Sequence, residues 1–484
     1  LSKKLNNNEL RAIGFHSEAL LEQAGRLAKN LIKNKILDKG EILAKYQALI
    51  TNPDAFANDD IFSGIAQLIR ELQPIENSAQ VKPNLFELKK EVPAYKIYGK
   101  EYIDTEAINQ MDNAMRLPTA LAGALMPDAH VGYGLPIGGV LATNAKVVIP
   151  YAVGVDIACR MCLSVFEMDN HYLEQKSQML KNFLIENTLF GIDGRFPKPM
   201  PDEIFDKPEW NATKIIKDLR HKAEMQIGTS GTGNHFVEWG ILEISQESED
   251  LRLPVGKYLA LLSHSGSRGF GAGIANYYSK LAMDRTKLPK EAKHLAWLDL
   301  DTEEGQAYWV AMNLAGDYAS ANHHQIHKKM AKSLGVKPLL MVENHHNFAW
   351  EGKLADGTPA IIHRKGATPA GKGDLGIIPG SMAQAGFVVK GKGDFSALYS
   401  ASHGAGRVMS RSQAMKSISK QDIKKVLADK GVTLIGGDLD EAPMVYKDIY
   451  KVLESQNDLV EILAKFTPKI VRMADPDPKG RREE

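Results

Sequence analysis

Two cysteines, Cys159 and Cys162, are all that the 484 residues contain. That excludes a disulfide framework and fits a reducing compartment, so the expected location is cytoplasmic. Net charge is almost absent as well: 60 Lys and Arg face 59 Asp and Glu, a formal +1. No global polycation is there to attract nucleic acid, and an RNA or DNA partner would have to be held by local patches. No apolar run is long enough to span a bilayer and no signal-peptide pattern opens the chain, so no membrane partner is expected. Internal repeats are also lacking. With 44% hydrophobic and 25% charged residues, the chain can bury one large core or two moderate ones.

Apolar residues from Asn8 to about Leu72 recur at helical spacing, with Pro53 as a break, which predicts a helical N-terminal region. Residues Asn77 to Lys90 are polar and read as a linker. The expected organisation is a helical extension with linker over 1–91, a catalytic domain over 92–474 and a short tail over 475–484. Beyond residue 92, short apolar runs alternate with glycine turns and helical stretches. This predicts an α/β or α+β fold with a mixed core sheet set between helices.

Metal-ligating residue types stand at the ends of these apolar runs. Asp156 and Cys159 lie in one connection, with Asp128 and His130 in an earlier one. Cys159 and Cys162 form a C-x-x-C, but the MCLSVFEM segment reads as a strand, and odd spacing on a strand points the two thiols to opposite faces. Cys159 is then a metal ligand and Cys162 buried filler. Asn234, His235 and Glu238 share a cavity if their strand starts in an irregular turn. His264 ends a strand and runs into SGSRG, a setting for metal or anion binding. His345 and His346 are adjacent on extended chain, so one of them at most enters a given site. Asp156, Cys159, His235, His264 and His346 together offer carboxylate, thiolate and imidazole donors suited to zinc, iron, cobalt or manganese. His323 and His327 share a helix face, yet no carboxylate stands between them, and they read as surface or packing residues. His363, Arg364 and Lys365 form a local basic patch.

A different chemistry is suggested by ALYSASHGAGRVMSR, Ala397 to Arg411. Small residues Gly404, Ala405 and Gly406 follow His403 and let backbone N–H groups approach a phosphate, while Arg407 and Arg411 follow on what reads as a helix. His403 is therefore a candidate nucleophile. Pro379, Gly380, Ser381 and Met382 form a second turn suited to a nucleotide. Arg268, Arg407 and Arg411 are expected to contact phosphate, on charge and position. Two metal ions beside a nucleophilic histidine make nucleotidyl transfer a reasonable reaction class.

The runs MPDAHVGYG, VGVDIAC, GTGNHFVE, SHSGSRG, HHN, HRKGAT, PGSM, SHGAGRVMSR and DEAPMVYKDI, in one order over about four fifths of the chain, resemble the RtcB family of RNA-splicing ligases. The resemblance implies an enzyme dependent on two Mn2+ ions and GTP. It would join an RNA 2′,3′-cyclic phosphate or 3′-phosphate end to a 5′-hydroxyl end, in RNA repair or tRNA splicing. His403 would carry GMP and pass it to the RNA 3′-phosphate. Cys159 would bridge the ions, with Asp156, His235, His264 and His346 completing the ligand set. Asn234, Glu238, His346, Asn347, Pro379 to Met382 and Gly404 to Gly406 would line the GTP site. An archease-type helper is a possible partner. Two departures stand out: Ala158 and Arg160 flank Cys159 where the family has glycines, and Gly386 stands where it has a serine. The competing readings are a metal-dependent RNA-end phosphatase or nuclease without ligation, and a non-catalytic RNA-end binding protein.

Overall fold

The computed structural model describes residues 5, 7–15, 18–56, 59, 61–72, 84–168 and 170–477. Much of the linker read at 77–90 and most of the tail read at 475–484 lie outside these residues. The chain divides into two compact units, Leu1–Val81 and Lys82–Glu484.

The first unit is helical, with helices Asn7–Ala12, Glu18–Lys33, Lys39–Thr51 and Ser63–Leu72. Asp38 starts the third of these as half of a capping box: its side chain accepts from the Glu41 N–H at 2.9 Å, and the Glu41 carboxylate accepts from the Asp38 N–H at 2.8 Å. Leu10, Phe15, Leu21, Ile42, Tyr46 and Leu49 form its core. The buried Tyr46 hydroxyl donates to the Ala24 carbonyl at 2.7 Å, so the only polar atom of that side chain is satisfied.

The second unit mixes helices with several sheets. Its largest sheet runs Leu340–His345, Arg160–Phe166, Gly256–Ser265, Phe236–Ile244, Val460–Met473, Gly386–Gly391, Leu375–Ile378 in spatial order, with Thr433–Ile435 beside Val460–Met473. Its two end strands nearly meet. The Asn344 side-chain amide donates to the Ile377 carbonyl at 3.3 Å and accepts from the Ile377 N–H at 2.9 Å, which satisfies edge groups that a full ladder would otherwise pair. Inside the curl lie Met161, Leu163, Leu262, Val342, Val388 and Phe466. The long helix Glu303–Leu334 packs on the outer face of the strands Arg160–Phe166 and Gly256–Ser265.

A five-stranded sheet runs Asn347–Lys353, Pro359–Lys365, Ile137–Asn144, Ala120–His130, Lys96–Ile97. It differs from the sequence reading in two places. Asp128 and His130 belong to the strand Ala120–His130, not to a connection, because a register irregularity between Leu125 and His130 lets the strand continue past Pro127. The basic patch of His363, Arg364 and Lys365 is not open to solvent. They sit on a strand paired on both sides and are 0%, 5% and 8% exposed. Among the described residues no helix is long and apolar enough to cross a membrane.

Candidate metal centre and nucleophilic histidine

Four adjacent strands of the large sheet end together. The ladder pairs His345 with Arg160, Arg160 with Ser265, and His264 with both Met161 and Phe236. The residues at or just beyond these ends are His346, Cys159, His264 and His235, so the antiparallel register gathers four donors from distant positions at one end of the curl. Asp156 joins them from the turn before Cys159. Its Oδ1 accepts from the Ser267 N–H at 3.2 Å, and its Oδ2 lies 3.1 Å from His235 Nε2. Gly266 makes this approach possible, because a Cβ there would stand 2.2 Å from the Asp156 carboxylate oxygens.

The tautomers follow from the partners. His235 Nδ1 lies 2.8 Å from the Ser230 carbonyl and His264 Nδ1 3.2 Å from the Asn234 carbonyl. A carbonyl only accepts, so each Nδ1 carries the proton and each Nε2 presents a lone pair. Those two Nε2 atoms lie 3.4 and 3.1 Å from Cys159 Sγ, and His264 Nε2 is 3.4 Å from His346 Nε2. Two triads result, Asp156–Cys159–His235 and Cys159–His264–His346, sharing the sulfur. Burial, then the neighbouring imidazoles, holds His264 and His346 well below the usual histidine range. Burial opposes ionisation of Asp156, while the Ser267 N–H and the Arg268 charge favour it. Such a set of lone pairs with few protons among them fits divalent cations, and the carbonyl contacts behind His235 and His264 are the outer bonds that orient metal-bound imidazoles.

His403 lies beside this cluster, its ring 4.9 Å from that of His346. Its position comes from the strand Ser400–Ser402, which pairs with Ala367–Pro369, whose Ala367 N–H in turn donates to the His346 carbonyl at 3.2 Å. Asp128, fully buried, accepts from His403 Nδ1 at 2.7 Å, from the His403 N–H at 3.1 Å and from the Gly404 N–H at 3.3 Å, all on one oxygen. Burial opposes its ionisation, yet the His403 contacts and Lys447 hold its carboxyl below the usual range. The geometry then puts the proton on His403 Nδ1 and leaves Nε2 as a lone pair, the form a nucleophile needs. Asp128 is the residue that sequence reasoning left out of the site; its signal was the polar PDAH run inside an apolar strand.

The remaining candidates fall around these two features. Glu238 lies opposite Leu262 as Phe236 lies opposite His264, so it shares the face of His264 inside the curl. Burial pushes its carboxyl well up. Asn347 braces the metal turn: its Nδ2 donates to the Asp156 carbonyl at 3.1 Å and its Oδ1 accepts from the Gly366 N–H at 2.8 Å. Pro379 to Met382 form the turn between Leu375–Ile378 and Gly386–Gly391, and Gly404 packs against Pro379. A Cβ on Gly386 would touch Pro379 Cα at 3.3 Å, so that glycine sits directly under this turn.

The arginines are already engaged. Arg268 reaches the Thr229 hydroxyl at 3.1 Å and packs over Gly231. Arg407 and Arg411 face the buried Asp440 and Glu441: Arg411 bonds Asp440 at 2.9 Å and also Glu441, and Arg407 donates to the Asp440 carbonyl at 2.7 Å. No helix begins at Gly404 to Gly406, as the sequence suggested; it begins at Arg411, capped by Ser410, and Arg407 lies before it. Arg160 neither enters the centre nor fills it. It shares a strand face with Cys162 and Ser164 and bonds Glu343 at 2.9 Å on the helix side. His345 likewise faces away, 3.2 Å from Arg160 and stacked on Trp350.

Comparison with known proteins adds sequence likeness to this geometry. The family model described as tRNA-splicing ligase RtcB matches residues 110–204 and 201–474. The chain is 32% identical to the Escherichia coli RNA-splicing ligase RtcB1 over 396 residues, covering 75% of this chain and 92% of that protein. It is 27% identical to the tRNA-splicing ligase RtcB of Thermococcus kodakarensis over 482 residues, covering 83% and 99%. To the Mycobacterium tuberculosis RNA-splicing ligase RtcB it is 30% identical over 426 residues, covering 74% and 98%.

Proposed function

This chain belongs to the RtcB family of RNA-splicing ligases, and from that membership we propose that it is a GTP- and manganese-dependent ligase joining RNA 3′-phosphate or 2′,3′-cyclic phosphate ends to 5′-hydroxyl ends. The observation that carries the reading is the placement of His403: its ring is 4.9 Å from His346, a member of the Cys159 donor set, and its Nδ1 is 2.7 Å from Asp128. A phosphatase needs the metal donors alone. A histidine held in the tautomer of a nucleophile beside them is what nucleotidyl transfer adds.

Asp156, Cys159 and His235 would hold one Mn2+, and Cys159, His264 and His346 the other, with the thiolate shared. Bound there, the ions would neutralise phosphate oxygens that otherwise repel an incoming nucleophile. His403 Nε2 attacks the α-phosphorus of GTP; the N–P bond forms as the bond to the pyrophosphate leaving group breaks. Where the RNA ends in a 2′,3′-cyclic phosphate, water first breaks the bond to the 2′-oxygen to leave a 3′-phosphate; the GMP then moves to an oxygen of that phosphate, restoring the free imidazole. Attack by the 5′-hydroxyl on that phosphate releases GMP and closes the phosphodiester. Asn234, Glu238, His346, Asn347, the Pro379 to Met382 turn and Gly404 to Gly406 line the nucleotide site. The two carboxylate oxygens of Glu238 would accept from the N1–H and 2-amino groups of guanine, an edge that adenine lacks. Arg268, Arg407 and Arg411 surround the phosphate path; those facing Asp440 and Glu441 would exchange part of that pairing for RNA phosphate.

Purified protein given GTP and Mn2+ is expected to gain the mass of one GMP on the peptide containing His403, and end-labelled RNA to be joined only when GTP is present. Phosphate release without GTP and without an adduct would favour the phosphatase reading instead. The same reading assigns catalysis to residues 92–474, so a chain lacking residues 1–81 is expected to keep forming the adduct.

A further inference from the structure

Cys162, on the strand Arg160–Phe166, faces away from the candidate catalytic centre that Cys159 enters just before the strand begins, and that far face carries a second set of donors. Cys162 pairs in register with Ser263, and both face the helix Glu303–Leu334. That helix presents His323 and His327 one turn apart. One donor atom from each of Cys162, His323 and His327 lies within 4.8 Å of the other two, and the three residues are 0%, 0% and 2% exposed. We propose that Cys162, His323 and His327 form a further metal site, for a thiophilic divalent cation of the zinc class, which ties the long helix to the back of the catalytic strands.

Hydrogen-bond accounting supports the assignment. The Ser263 hydroxyl lies 2.7 Å from His323 Nδ1 and 2.8 Å from His327 Nε2, and the Ser164 hydroxyl lies 2.7 Å from His327 Nδ1. In one of the two proton arrangements open to this chain, His323 Nδ1–H donates to Ser263, Ser263 to His327 Nε2, and His327 Nδ1–H to Ser164. It leaves His323 Nε2 as a buried lone pair that meets no donor, the form a cation takes up. The serines supply the contact that metal-bound imidazoles usually make through their second nitrogen, since each histidine keeps one serine when its other nitrogen turns to a cation. Burial also holds both imidazoles neutral, at about 3 each, so their lone pairs are open near neutral pH.

Two imidazoles and one thiolate are a borderline-soft set, better matched to zinc than to magnesium or calcium. Burial pushes the Cys162 thiol up, so the thiolate forms only as a cation displaces its proton to solvent. A groove of about 510 Å³ brings solvent to His327. Lys328, Lys332 and Lys337 line it, a positive rim that disfavours loosely held cations and leaves selection to the donors themselves.

Having only two cysteines makes the test direct. Full-length protein with Cys159→Ser, stripped with a chelator and titrated with Co2+, is expected to show a near-ultraviolet sulfur-to-cobalt absorption that saturates at one equivalent and is bleached by Zn2+. Adding Cys162→Ser should abolish it. A folded Cys159→Ser protein without that absorption, or a double variant that retains it, overturns the proposal. Should Cys159→Ser fail to fold, Cys162→Ser alone decides: bound zinc per chain falls by one equivalent relative to wild type if the site exists, and an unchanged content overturns it. Neither outcome bears on ligase activity, which the GMP adduct tests separately.

Discussion

One oxygen of Asp128 accepts from His403 Nδ1 at 2.7 Å and from the backbone N–H groups of His403 and Gly404. A single carboxylate therefore fixes the tautomer, the ring orientation and the loop that follows. Asp128→Asn can offer its carbonyl oxygen to the same three N–H donors, but it removes the charge that supports the positive charge developing on the His403 ring as Nε2 bonds to phosphorus. GMP transfer to His403 is expected to slow by roughly 10²- to 10⁴-fold, as when a buried carboxylate behind a catalytic histidine is neutralised, while the KM for GTP changes little. A rate within a factor of two of wild type would remove Asp128 from its positioning role.

Gly406 has φ +72°, and a Cβ on it would stand 2.0 Å from the Asp128 carbonyl oxygen. Gly406→Ala must move either the loop after His403 or the strand carrying Asp128. The expected cost is about 1–3 kcal/mol for backbone strain alone, read as a lower thermal midpoint together with slower adduct formation. A variant as stable and as fast as wild type would mean that the loop is free to relax away from Asp128.

How much of this was legible depended on what each residue type announces. Cys159, His235, His264 and His346 were visible because polar donors interrupt apolar runs beside glycine, and strand ends are where such interruptions fall. The role of Asp128 was hidden, since it depends on a strand irregularity near Pro127 that carries Asp128 to a loop 275 residues away. Arg160 looked like a neighbour of the metal centre because it adjoins Cys159 in sequence; strand alternation turns it to the opposite face, onto Glu343. His363, Arg364 and Lys365 read as a local basic patch, and charge suggests exposure. A central strand buries them anyway, with Arg364 bonded to the Ser400 hydroxyl at 2.7 Å and the Leu398 carbonyl at 3.0 Å.

His363 provides a pH test away from the metal donors. Its Nε2 accepts from the Ile149 N–H at 2.9 Å and its Nδ1 lies 3.2 Å from the Leu141 carbonyl, so the ring is neutral with its proton on Nδ1. Burial lowers it to about 4, against about 6.5 in an unfolded chain. As pH falls the unfolded state takes up the proton first. The stabilisation is therefore complete above about pH 6.5 and lost between there and about pH 4, at up to about 1.4 kcal/mol per unit. Urea midpoints from about pH 7.5 to about pH 4.5 should decline, and His363→Gln, less stable at the upper end, should decline less steeply. Parallel slopes for the two proteins would refute the assignment.

Cys159 belongs to both donor triads, so its loss should be felt by both ions at once. An oxygen in place of the sulfur keeps the shape but is a poor anionic donor near neutral pH. Cys159→Ser is expected to lower bound Mn2+ below that of Asp156→Asn or His346→Ala, each of which leaves one triad intact. Stability gives a second readout that does not depend on turnover. A ligand at a hundred times its dissociation constant stabilises the state that binds it by about 2.7 kcal/mol, so Mn2+ should raise the thermal midpoint of wild type and do so much less in Cys159→Ser. If Mn2+ raised both proteins equally, the shared sulfur would not hold the ions and the site would have to be rebuilt around the imidazoles and Asp156 alone.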